Sequence, residues 1–101
     1  MIEFSKAKTK YRAEFTKRMK KDFKLILKRK YNIEEFVYVV QKLLNGLPLE
    51  EKYKDHALEG NWKNHRELHI RPDWLLIYQI KDDVLVLELT RTGSHSDLFK
   101  K

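Results

Sequence analysis

Three short blocks in the second half of the chain hold the side chains able to move protons near neutral pH. They read Tyr53-Lys54-Asp55-His56, then Glu67-Leu68-His69-Ile70-Arg71-Pro72-Asp73-Trp74, then Arg91-Thr92-Gly93-Ser94-His95, with Phe99 shortly after. Imidazole has the ordinary pKa nearest physiological pH, so it can take or release a proton there. Imidazoles beside carboxylates and a guanidinium suit phosphodiester cleavage without metal. That reaction needs a base for the 2′-hydroxyl proton, an acid for the leaving 5′-oxygen and a cation for charge on phosphorus. Histidines serve the first two roles, and the planar donors of arginine match phosphate oxygens. RNA supplies its own nucleophile, so the expected products are a 2′,3′-cyclic phosphate and a 5′-hydroxyl end.

Within the blocks, Glu67 and His69 stand two residues apart, on one face of a strand. Glu67 or Asp73 is expected to orient a histidine. Gly93 lets the backbone bend between Arg91 and His95, bringing guanidinium and imidazole towards one phosphate. Lys54, Glu67, Trp74 and Phe99 are the candidate substrate contacts. Trp74 and Phe99 could stack on bases at about 1–3 kcal/mol each, although Trp74 opens an apolar strand, where packing is favoured. His65 and Trp62 stay outside the site. His65 and His69 would be about 13 Å apart on a strand, too far to share an ion. No metal or other cofactor is expected.

The elements that must carry these blocks follow from periodicity. Tyr11, Ala13 and Phe15 alternate with charged residues over 8–15, as in a short amphipathic strand. Thr16 can cap a helix whose apolar ridge is Met19, Phe23, Ile26, Leu27 and Tyr31, with Lys17, Lys20, Lys21, Lys24 and Lys28 behind it. Asn32 and Glu35 resemble a capping box for a second helix, with Ile33, Phe36, Val37, Val40, Leu43 and Leu44 inward. Asn45-Gly46 ends it. Residues 49–63 read as a long loop. Strands are expected over 64–71, with His65, Glu67, His69 and Arg71 on one face, then over 74–80 and 84–91. The order β-α-α-β-β-β predicts one α+β domain over 1–101, a helical hairpin on a mainly antiparallel four-stranded sheet.

The net charge of +7 is uneven. Residues 1–30 hold 12 Lys and Arg against 3 acids, a net of +9, and the remainder hold 10 against 12, a net of −2. A concentrated basic block suggests a polyanionic partner held through phosphates, in a salt-sensitive way. With no cysteine there is no disulfide framework. No stretch is apolar enough for a membrane, and the first residues lack a signal-peptide layout, so a cytoplasmic protein is expected.

The three blocks resemble the YafQ branch of the RelE-like toxin superfamily, whose pattern runs Y-K-D-H, H-x-x-P-D-W and R-T-G-[ST]-H-x-x-L-F. Every element is present in order, as Tyr53 to His56, His69 to Trp74 and Arg91 to Phe99. The resemblance implies the RelE-like fold and the toxin of a type II toxin–antitoxin pair. It implies a ribosome-dependent endoribonuclease that cuts messenger RNA in the A site. His56 is then the expected base and His95 the acid, two roles that the sequence allows to be exchanged, with Arg91 the phosphate cation and His69 and Asp73 parts of the same centre. Partners implied are a cognate antitoxin, the ribosome with its message, and operator DNA through the antitoxin alone. The basic first helix would contact ribosomal RNA through Lys17, Lys20, Lys21, Lys24 and Lys28. Two rival readings stand beside it: a ParE-like toxin, which the same fold also hosts and which binds DNA gyrase, and a basic RNA-binding protein without catalysis. A gyrase binder would not need the constellation His56, His69, Asp73, Arg91 and His95.

Overall fold

The computed structural model describes residues 9–99. Its strands are β1 (Arg12–Phe15), β2 (His56–Ala57), β3 (Arg66–Arg71), β4 (Trp74–Lys81) and β5 (Val86–Gly93). Its helices are α1 (Lys17–Lys28), α2 (Ile33–Leu44) and the single turn α3 (His95–Leu98). The expected start of the first strand at Lys8 lies outside the described residues. No helix among the described residues is long and apolar enough to cross a membrane.

Both long helices begin where their side chains can satisfy free backbone donors. The Thr16 hydroxyl accepts from the Met19 N–H at 2.9 Å and donates to the Thr90 carbonyl at 2.8 Å, so the cap also pins α1 to β5. The Asn32 side chain accepts from the Glu35 N–H. Helix α1 buries Met19, Phe23 and Ile26, and with them Asp22. Leu27, expected on the ridge, is exposed. Helix α2 buries Phe36, Val39, Val40, Leu43 and Leu44.

The sheet order is β1-β5-β4-β3-β2, with β1 parallel to β5 and the other pairs antiparallel. Among the described residues there are five strands where four were expected. The additional one, β2, is two residues long, too short to show any period, and it lies inside the segment read as loop. Both helices cover one face, packing on Leu68, Ile70, Trp74, Leu76, Tyr78, Leu87 and Leu89. The other face is only partly covered, with Leu75 and Ile77 under Leu98, Leu58 and Trp62.

Register on that second face positions the chemistry. Directly opposed residues share a face, and the pairs His56↔Glu67, Glu67↔Ile77 and Ile77↔Arg91 form one cross-strand row. The next row is His69, Leu75 and Gly93. Two irregularities interrupt the pattern. The register shifts between His69 and Arg71, and again opposite Ile77 and Tyr78, where Thr90 is left over. The first breaks the expected run of Glu67, His69 and Arg71 on one face. An extra residue reverses the alternation, and Arg71 turns to bond Glu35 on α2.

Candidate active site

Three of the four histidines meet on the second face. The His69 ring stands between the other two, with centroids 6.4 Å from His56 and 5.8 Å from His95. Each presents Nδ1 to an oxygen: His56 to the Lys54 carbonyl at 2.7 Å, His69 to the Pro72 carbonyl at 3.4 Å, His95 to Asp73 Oδ1 at 2.8 Å. An oxygen acceptor assigns the proton to Nδ1, so in the neutral ring Nε2 is the nitrogen able to take a proton. The contact of His69 is the longest and holds its ring least firmly.

Glu67 ties two of these rings together. Its Oε1 lies 3.3 Å from His56 Nε2 and 3.7 Å from His69 Nε2. The carboxylate is buried, whereas the side chains of His56 and His95 are 48% and 54% exposed. A buried carboxylate needs polar partners, and the two Nε2 atoms are what face Glu67. Among the described residues no cluster of His, Asp and Glu is arranged to hold a metal ion.

The third imidazole is placed by α3. Asp73 Oδ1 accepts from the His95 backbone N–H at 2.9 Å as well as from its ring. These two donors, the backbone one foremost, hold the Asp73 carboxyl below the usual range. Ser94 and Asp97 form a reciprocal capping box, and Arg29, just after α1, forks onto Asp97 at 2.6 and 3.2 Å. The guanidinium draws that carboxyl down to about 2. Gly93, at φ +153°, lies so close that an added Cβ would sit 2.9 Å from Asp97 Oδ2.

The remaining block residues divide between anchors and open positions. Tyr53 is buried. Asp55 Oδ1 accepts from the Tyr78 hydroxyl at 2.6 Å and from Arg66 Nε at 3.2 Å, which latches the loop to the sheet. Burial and that carboxylate together push the Tyr78 phenol up. Lys54 between them adopts a left-handed conformation, φ +50°, and is exposed. Phe99 is 38% exposed at the end of α3.

Two expected contacts are placed differently. Trp74, a candidate for base stacking, is 3% exposed, donates Nε1–H to Thr92 Oγ1 at 2.9 Å and stacks on Phe36. It is a core residue, because an indole buried on the helix face has no surface to offer a base. Arg91 shares the second face by register, but its Nε and Nη2 are each 3.0 Å from Asp22. Strand β1 ends opposite Leu89, so beyond it α1 meets the edge of β5. Asp22 there also accepts from the Thr92 N–H. Side-on pairing leaves the end-on donors of the guanidinium for another acceptor. His65 stands apart, its Nε2 3.9 Å from Glu88 Oε2. On α1, Lys17, Lys20, Lys21, Lys24 and Lys28 are all exposed.

Asp22, Asp55 and Asp97 went unread in the sequence as supports of the site. Asp97 had a signal, since Ser94-x-x-Asp97 has capping-box spacing. Asp22 had none, because its partners lie 69 and 70 residues away.

Comparison with known proteins adds to this geometry. The family described as the bacterial toxin of type II toxin–antitoxin system, YafQ, matches residues 11–100. The mRNA interferase toxin YafQ of Escherichia coli K12 is 44% identical over 87 residues, covering 85% of this chain and 92% of that protein. The toxin in the E. coli DinJ–YafQ toxin–antitoxin complex superposes with a TM-score of 0.81 at 41% identity, over 89% of this chain and 98% of its own. A metal-bound toxin from Helicobacter pylori gives a TM-score of 0.82 at 45% identity, over 86% and 97%.

Proposed function

The chain belongs to the YafQ family of bacterial type II toxins, and from that premise we propose that it is an mRNA interferase, an endoribonuclease acting on messenger RNA. The observation that carries this reading is the convergence of three imidazoles on one open face, each with Nδ1 committed to an oxygen. His56 takes the 2′-hydroxyl proton, and the buried Glu67 holds the imidazolium that results. His95, aligned by Asp73, protonates the leaving 5′-oxygen. His69 stands between them at the phosphate, and the end-on donors of Arg91 bear on the charge that develops there. Lys54 and Phe99 contact the strand.

Cleavage takes place in the ribosomal A site, with the lysine face of α1 against ribosomal RNA. A cognate antitoxin silences the toxin in a hetero-oligomeric complex, and the pair represses its operon through the antitoxin's contact with DNA. The protein works in the cytoplasm, where its substrate is translated.

Primer extension on a defined message, translated in vitro with and without the protein, tests this reading. A cut in frame that needs ribosomes, leaves a 2′,3′-cyclic phosphate and disappears with His95→Ala is expected. An intact message with normal translation overturns it and directs attention to DNA gyrase.

A further inference from the structure

Beside His69 opens a groove of about 560 Å³, whose wall carries Lys52, Lys54 and Arg71 against one carboxylate, Glu35. It lies where β2 stops. That strand pairs only with Arg66 and Glu67, so β3 is an edge from Leu68 onward. Glu35 is already engaged, with Oε1 accepting from Arg71 Nε and Oε2 from the Tyr53 hydroxyl at 3.4 Å. The groove therefore keeps an excess of positive charge. Lys52 is exposed, its amine 5.1 Å from the Tyr53 ring.

Groove and imidazole row are continuous. His69 belongs to both, and the carbonyl of Lys54 holds His56 Nδ1. A nucleic acid strand with one phosphate at the imidazoles must leave along one edge of the sheet, and this edge is open and cationic. We propose that the groove binds a backbone phosphate of the RNA strand next to the scissile one, with Lys52 and Arg71 as its positioning residues. The inference rests on the nuclease reading above. Two anchored phosphates fix the strand's register, which one phosphate among three imidazoles would leave free to slide.

The test uses a short RNA with a 2′-deoxy nucleotide at the cut position, which binds without being cleaved. Its affinity is measured by fluorescence anisotropy against salt, for the wild-type protein and for Lys52→Gln/Arg71→Gln. Releasing the one phosphate that these two cations neutralise should make the log–log salt slope shallower by about 0.7. On translating ribosomes the same variant should lose about tenfold in kcat/KM, with product ends unchanged. Glu35→Gln, which removes the opposing charge, should bind the RNA more tightly. Equal slopes and equal cleavage in a wild type that cuts messages would overturn the groove and leave the nuclease reading standing. A wild type that cuts nothing would overturn that reading, and the inference with it. Unchanged RNA affinity with weakened antitoxin binding would reassign the groove to the antitoxin.

Discussion

An imidazole is useful in proportion to how firmly one of its nitrogens is held, and here the three rings differ. His95 has the firmest support, with ring and backbone both on Asp73 Oδ1. His69 has the loosest, at 3.4 Å from the Pro72 carbonyl. Asp73→Asn keeps an oxygen acceptor for Nδ1–H, whereas Asp73→Ala removes it. The expected order in single-turnover cleavage is wild type, then Asn about tenfold slower, then Ala about a hundredfold slower, inside the range for a mispositioned acid or base. Equal rates for the two variants would mean that charge, and not alignment, is what Asp73 supplies. In the sequence His56 and Asp73 stand out through the family motif, since a lone loop histidine or turn aspartate is commonplace, whereas His69 and His95 also stand near Glu67 and Arg91. Burial was legible in part: Trp74 opens an apolar strand, where packing is favoured, and it is buried, whereas Phe99 near the end of the chain is 38% exposed.

At the scale of elements, the site depends on three short pieces that periodicity cannot see. Strand β2 brings His56 level with Glu67, the irregularity at Ile70 sends Arg71 away from His69, and one turn of helix presents His95. The last is the most vulnerable. At Gly93 a side chain meets both a strained φ and the Asp97 carboxyl, 2.9 Å away. Gly93→Ala should cost about 1–3 kcal/mol and displace α3, so activity falls more than stability. Thermal unfolding beside cleavage rate checks this. A variant with full activity would show that α3 can shift without moving His95.

For the whole molecule, charge and chemistry occupy different places. The excess of lysine lies on α1, while the imidazoles lie on the open sheet face beyond its far side. They are joined where Asp22 of α1 holds Arg91 and where Arg29, at the end of α1, holds Asp97 of α3. Replacing Lys20, Lys21 and Lys24 by glutamate should weaken ribosome binding and flatten its salt dependence, by about 0.7–0.9 in slope for each phosphate no longer neutralised. Cleavage should fail through KM, with kcat retained. Unchanged sedimentation with ribosomes across salt concentrations would leave those lysines as a solvated surface.

Local signals determined the family motif, both long helices with their caps, four of the five described strands, and the histidines as a group. Those features need only neighbouring residues, since a period or a cap is complete within one or two turns. Tertiary structure alone decided that Glu67 faces two imidazoles, that Asp55 latches the loop to Tyr78, and that Asp22 occupies half of the Arg91 guanidinium. Each of these joins groups distant along the chain, and a carboxylate's role is set by whichever donor folding brings to it.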